Sequence, residues 1–189
     1  MRGVALRAAL MRPYRRARFR TFGANSVLHK PDWLYGTHRI AIGANVIILG
    51  HIWLSAERGT WDLPTPAITI GDGTAIRPYC TITAAESIVI EENVVLSAFT
   101  SVIDSDHTFG DLSESVLWNP VESAPVRIGR GTWVGERTTI LRGAQIGRSC
   151  AIGANSVVRG EIPDYSVAVG VPAKVVGSTR ERFGSGVSR

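Results

Sequence analysis

The chain has 189 residues, a formal charge of +5 at neutral pH, 44% hydrophobic residues and 20% charged residues. That is the size and apolar fraction of one domain, and no stretch approaches the length of a membrane-crossing helix. Nineteen of its 21 basic residues are arginine, the exceptions being Lys30 and Lys174; such a charge suits a polyanionic ligand or an acidic membrane surface, and without a recognised motif beside it nucleic acid is not expected as a partner.

Residues 1–22 read as a separate basic arm. Residues 1–12 have helical spacing, with Leu6, Ala9 and Leu10 on one side, and Pro13 ends the helix. Seven arginines and no acid fall in the first twenty positions. Two readings stand: an interfacial basic helix touching membrane phosphates or a lipid-linked substrate, or a solvated arm packed on the rest. Arg7 and Arg12 interrupt any secretory apolar run, so the expected location is cytoplasmic, with the inner membrane face as a station for the arm.

From Ile42 onward sixteen aliphatic residues keep a six-residue beat. They are Ile42, Ile48, Leu54; Ile70, Ile76, Ile82, Ile88; Ile90, Leu96, Val102; and Ile128, Val134, Ile140, Ile146, Ile152, Val158. This period fits neither a helix at 3.6 nor one long strand at 2.0, and predicts a solenoid whose hexapeptides are each a short strand plus a turn. One aliphatic side chain per hexapeptide points inward, worth roughly 1.5–3 kcal/mol each when buried. Beside the last run, Thr132, Thr138, Ala144, Cys150 and Ser156 form a column of small residues suited to the narrow interior. Glycine follows the beat at Gly43, Gly71, Gly129, Gly135, Gly147 and Gly153, with Asn45, Asn93 and Asn155 near the same corners. Positive φ is expected there. Cys80 and Cys150 read as buried packing residues in a reducing compartment.

Interruptions of the beat predict where a site could stand, since loops on a rigid scaffold carry function. Residues 55–67 read as a projecting loop, Ile88–Ile90 as a bulged corner, and the gap after Val102 holds Asp104-Ser-Asp-His107-Thr-Phe-Gly and later Trp118-Asn-Pro. The beat stops after Val158, and residues 178–189 read as frayed.

The segment from Ile128-Gly-Arg-Gly-Thr-Trp-Val-Gly135 to Val171-Pro-Ala-Lys174 resembles the hexapeptide-repeat acyltransferases, nearest to sugar and polysaccharide O-acetyltransferases. The similarity runs from about Ile40 to Val176. It implies an all-β fold, a left-handed parallel β-helix with a short N-terminal helical arm and a projecting active-site loop. The period alone allows either hand. The implied organisation is a basic arm at 1–22, the β-helix at 23–176 with loops 55–67 and 104–126, and a tail at 177–189.

The resemblance also implies roles. Counting from Ile90-Glu-Glu-Asn93, His107 falls where the family carries its general base, which removes the acceptor's proton during direct attack on acyl-coenzyme A. Asp104 or Asp106 could orient its ring, as could a backbone carbonyl. Trp133 and Gly135, in Gly131-Thr-Trp-Val-Gly135, match the acyl-donor pocket; Ala154 matches a backbone contact to pantetheine; Lys174 matches a basic residue near the nucleotide phosphates. Arg159, Arg180 and Arg182 are further phosphate contacts, with solubility as the plain alternative. The acceptor asparagine of the galactoside and maltose branch is replaced by Arg77, two residues before Tyr79. That pair is the expected substrate contact, and Arg77 suits an acidic acceptor.

Acetyl-coenzyme A is the expected co-substrate, a sugar or glycan hydroxyl the acceptor, a homotrimer the assembly, and no metal is expected. The alternatives are an amino-sugar N-acetyltransferase, a metal hydratase of the γ-carbonic-anhydrase kind, and a non-catalytic trimeric scaffold. The hydratase needs three converging histidines, and His29, His38, His51 and His107 are not so spaced.

Overall fold

The computed structural model describes residues 18–57, 59, 62, 64–110, 113 and 115–183. Residues 1–17, which carry the expected arm helix, lie outside the described residues, as do 184–189 and the side chain of Arg182.

Short strands wind around a triangular core as a left-handed parallel β-helix. Among the described residues one face is a seven-stranded sheet, the second an eight-stranded sheet and the third a six-stranded sheet. A single turn shows the pattern: Ile88–Ile90 lies on the first face, Val95–Leu96 on the second, Ser101–Ile103 on the third. Each pairs in parallel with its equivalents one turn below and above, as Ile70↔Ile90↔Ile128 shows. Pairing to the neighbouring turn satisfies the backbone that a two-residue strand cannot satisfy alone.

All sixteen residues of the beat are buried. The small column is buried too, but Val46, Ile52 and Val94 occupy equivalent places lower in the stack, so the interior there tolerates larger side chains than expected. Where the column residue carries a hydroxyl, it stitches turns together. Thr132 donates to the Gly147 carbonyl at 2.9 Å and accepts from the Cys150 N–H at 3.1 Å. Buried hydroxyls are tolerated because both bonds are made.

Three expectations are corrected. Ile88–Ile90 is not a bulge; it is one strand whose two ends both point inward, which is why the beat shifts by two there. Strand Trp53–Ala56 runs into the segment read as a loop, and buried Ala67 ends it, leaving 57–66 as the excursion. The corner glycines serve close approach: a Cβ on Gly71 would stand 2.5 Å from the Glu91 carbonyl carbon. Positive φ falls not at those glycines but at Asn45, Gly73, Asn93, Gly131 and Ser149 on one corner, the asparagines as expected. On the next corner it falls at His51, Tyr79, Phe99, Arg137 and Asn155.

The first turn begins earlier than residue 23, because Thr21–Phe22 pairs with Ala41 and Ile42, and Phe19 is buried. At the other end strand Ser166–Gly170 turns back antiparallel on Ala173–Ser178, and a short helix, Thr179–Phe183, follows in the stretch read as frayed. No helix among the described residues is long and apolar enough to cross a membrane.

Candidate active site

His107 stands on an excursion from the third face that follows strand Ser101–Ile103. Strand Ser105–His107 pairs antiparallel with Val121–Ser123, a two-stranded flap whose far end carries Val116–Trp118 as a 3-10 turn. Asp104 anchors its base. Its carboxylate is fully buried and accepts the backbone N–H groups of Ala85 at 2.7 Å, Glu86 at 2.9 Å and Ser87 at 2.7 Å. Burial pushes this carboxyl above its ordinary range, while those three donors pull the other way. Asp106 points outward to Arg142, whose Nε donates to it at 2.8 Å and whose other nitrogen reaches Glu122 at 3.0 Å. The clasp holds both flap strands to the turn above.

The bonds of both aspartates thus run to groups other than His107, for which the sequence left either aspartate or a backbone carbonyl as the orienting group. Asp104 satisfies a corner of the turn below, and strand alternation sends Asp106 to Arg142. The imidazole meets the carbonyl of Asn119, 3.5 Å from Nδ1, a long contact. A carbonyl only accepts, so that contact requires the proton on Nδ1 and leaves Nε2 as the nitrogen able to take one. Sequence reasoning named backbone as an alternative without locating it.

The exposed ring borders a cavity of about 520 Å³, lined also by Glu57, Thr83, Ser105, Asp106 and Ser123. Glu57, from the start of the 57–66 excursion, went unnoticed in the sequence, where nothing marks it. On the other side of Asp106 a cavity of about 570 Å³ is lined by Leu141, Arg142 and Arg159.

A third cavity, about 420 Å³, opens on the second face beside Trp133, whose side chain is outward and 46% exposed. Arg180 joins it there: its guanidinium lies 3.7 Å from the centre of the Tyr165 ring, and Arg148 lies 5.2 Å from the same ring. Arg148 is paired with Asp164 at 3.0 Å, whereas Arg180 has no carboxylate at salt-bridge distance among the described residues. The Thr179 hydroxyl donates to the Ser149 carbonyl at 2.8 Å and fixes the helix that carries Arg180. An exposed indole beside an uncompensated guanidinium can take a planar, anionic ligand.

Gly135, Ala154 and Lys174 gather at the opposite edge of the same face. A Cβ on Gly135 would come within 2.5 Å of the Ala154 nitrogen, and Lys174 pairs with Val169, which packs on Gly153. The expected donor residues thus fall into a group on the second face and Arg159 apart from it.

Arg77 and Tyr79 are not among the described residues that line the His107 cavity within one chain. Tyr79 sits instead in an aromatic stack on the corner between the second and third faces, 4.9 Å from both His51 and Phe99. Its outward left-handed corner conformation, at φ 64°, points it away from the core. Among the described residues no three His, Cys, Asp or Glu side chains form a metal-holding group.

Residues 125–160 match the protein-family pattern described as bacterial transferase hexapeptide (six repeats). The chain is 39% identical over 110 residues to a protein of Mycobacterium tuberculosis named a probable acetyltransferase, covering 58% of this chain and 37% of that protein. It is 36% identical over 118 residues to WbbJ of Escherichia coli, named for lipopolysaccharide O-acetyl transfer, covering 58% of this chain and 59% of that one. The match thus spans between about a third and three fifths of these relatives' lengths. In structure it resembles AntD, an N-acyltransferase of Bacillus cereus solved with dTDP and 3-hydroxybutyryl-CoA. There the TM-score is 0.75 at 22% identity, over 92% of this chain and 91% of that one. It also resembles the hexapeptide-repeat acetyltransferase VCA0836 of Vibrio cholerae solved with acetyl-coenzyme A. That TM-score is 0.63 at 22% identity, over 90% of this chain and 76% of that one. Residues 125–160 thus carry the hexapeptide repeat of that pattern, and the chain shares the fold of these two solved structures.

Proposed function

We propose that the chain is an acyl-coenzyme-A-dependent O-acyltransferase that moves an acetyl group to a hydroxyl of a sugar or glycan. The observation that carries this is His107, an exposed imidazole with Nδ1 toward the Asn119 carbonyl, standing at a cavity rich in hydroxyl and carboxylate groups. Nε2 takes the acceptor's proton as its oxygen attacks the thioester carbonyl; the C–S bond breaks and the imidazolium returns the proton to the departing sulfur. Nothing in this sequence of steps calls for an acyl-enzyme. Trp133, Gly135, Ala154, Lys174 and Arg180 hold the donor on the second face, with Arg159 beside the flap as a further cation.

The working assembly is a homotrimer in which Arg77 and Tyr79 of one copy approach the His107 cavity of another. The protein acts in the cytoplasm, where the basic arm at 1–22 touches the inner membrane face. Amino-sugar N-acylation is the second reading, favoured by the likeness to AntD across nearly the whole chain.

The test is release of free thiol from acetyl-coenzyme A against neutral sugars, amino sugars, nucleotide sugars and oligosaccharides. Turnover with hydroxyl acceptors supports O-transfer. Turnover confined to amino sugars replaces it with N-transfer, and none with any acceptor contradicts both.

A further inference from the structure

The two strands of the flap set Asp106 directly opposite Glu122. Like charges facing each other across neighbouring strands repel, and a pair of strands as short as these has little stability of its own to oppose them. The next rung of the same ladder is His107 opposite Val121. Asn119, whose carbonyl faces His107 Nδ1, precedes Glu122 on the other arm of the flap. The base and the carbonyl that orients it therefore stand on opposite arms, beside a rung that repels.

Arg142 turns that rung into a clasp. Its Nε donates to Asp106 Oδ2 at 2.8 Å and a terminal nitrogen donates to Glu122 Oε2 at 3.0 Å, one arm each. A planar guanidinium spans two carboxylates in this way, whereas an ammonium is a single point of charge. The backbone on both sides of Arg142 is tied down. The Leu141 N–H donates to the Val158 carbonyl at 2.9 Å, and the Gly143 N–H donates to the Ala124 carbonyl at 3.0 Å. Both carboxylates are more than half exposed, and ion pairs so exposed contribute little to global stability. What such a clasp can set is the geometry of the flap.

We propose that Arg142 is a positioning residue for the transfer. By gripping Asp106 on one arm and Glu122 on the other, it fixes His107 against the Asn119 carbonyl and so sets where Nε2 points. The inference rests on the acyl-transfer reading and deepens it, adding to His107 a residue that acts through the flap without touching substrate.

The experiment measures thiol release from acetyl-coenzyme A with hexose and hexosamine acceptors for the full chain, Arg142→Ala, Arg142→Lys, Glu122→Gln and the double variant Arg142→Ala/Glu122→Gln. Hydrogen exchange follows the Thr108 amide, which donates to the Pro120 carbonyl at 2.9 Å across the two arms. Arg142→Ala is expected to lower kcat roughly 10–100-fold, as a displaced catalytic group does, and to speed exchange at Thr108. Melting temperature and acetyl-coenzyme A binding stay near those of the wild type. Arg142→Lys falls between the two. The double variant recovers part of the lost kcat, because removing the charge of Glu122 removes the repulsion that Arg142 offset; a residue that merely packed the flap would give no recovery. A wild-type kcat or unmoved Thr108 exchange in Arg142→Ala, or a double variant no better than the single one, overturns the proposal and leaves acyl transfer standing. Turnover lost together with donor binding makes Arg142 a residue of folding and overturns it too. Absence of thiol release with every acceptor in the wild type overturns the acyl-transfer reading, and this inference with it.

Discussion

The cavity at His107 and the cavity at Trp133 are built on the same solenoid, yet their linings have opposite character. The first combines carboxylates, hydroxyls and one imidazole on a flap that leaves the repeat. The second is aromatic and cationic, with Trp133, Tyr165 and Arg180 rising from the repeat itself and from the helix that caps it. One lining suits a polyhydroxyl acceptor and a proton transfer; the other suits a planar, phosphorylated donor. The repeat supplies a fixed frame, and departures from it supply the chemistry.

Four predictions bear on that contrast, in falling order of expected effect. His107→Ala lowers kcat by about 10²–10⁴ while leaving acetyl-coenzyme A affinity unchanged, measured by thiol release beside calorimetric binding. Trp133→Ala and Arg180→Ala do the reverse: each raises the donor KM, Arg180→Ala by roughly 10-fold, with acceptor KM unmoved. If either variant alters acceptor KM instead, the division of labour is wrong.

Asp104→Asn tests the flap's anchor. It turns one acceptor oxygen into a donor facing the N–H groups of Ala85, Glu86 and Ser87, which costs about 1–3 kcal/mol in denaturant unfolding. An unchanged unfolding midpoint would remove Asp104 from that role.

The smallest effect concerns Cys80, whose thiol burial pushes up to about 11 from an ordinary 9.0. Between those values the unfolded chain has lost the proton that the folded chain keeps, so stability falls as pH rises, by at most about 1.4 kcal/mol per pH unit. Cys80→Ala should flatten that part of the curve. The thiol of the folded protein should also resist alkylation near neutral pH, and rapid labelling there would contradict its burial.

How much of this could be read from the sequence depends on how local the cause is. The sixteen aliphatic residues were legible because each obeys its own position in a six-residue unit. Asn45, Asn93 and Asn155 were legible at corners for the same reason: a short polar side chain tolerates positive φ. His51, Tyr79 and Phe99 were not, since they take the same backbone conformation against that preference and stack on residues a turn away.

The flap was harder. Asp104 and Asp106 flank His107 in sequence, which invited a shared role. But the N–H groups that need Asp104 lie 17–19 residues back, and Arg142 lies 36 residues ahead of Asp106. Glu57 reaches the same cavity from a separate excursion two turns lower, a closeness created only by winding the chain. His107 was singled out through the family resemblance, by its count from Asn93, and it stands on the flap.

The most direct test of the two-cavity account measures turnover and donor binding on one preparation of His107→Ala beside the wild type. The account predicts acetyl-coenzyme A binding of equal affinity and thiol release reduced by about a thousandfold. Turnover retained at the wild-type rate, or donor binding lost together with turnover, would contradict it.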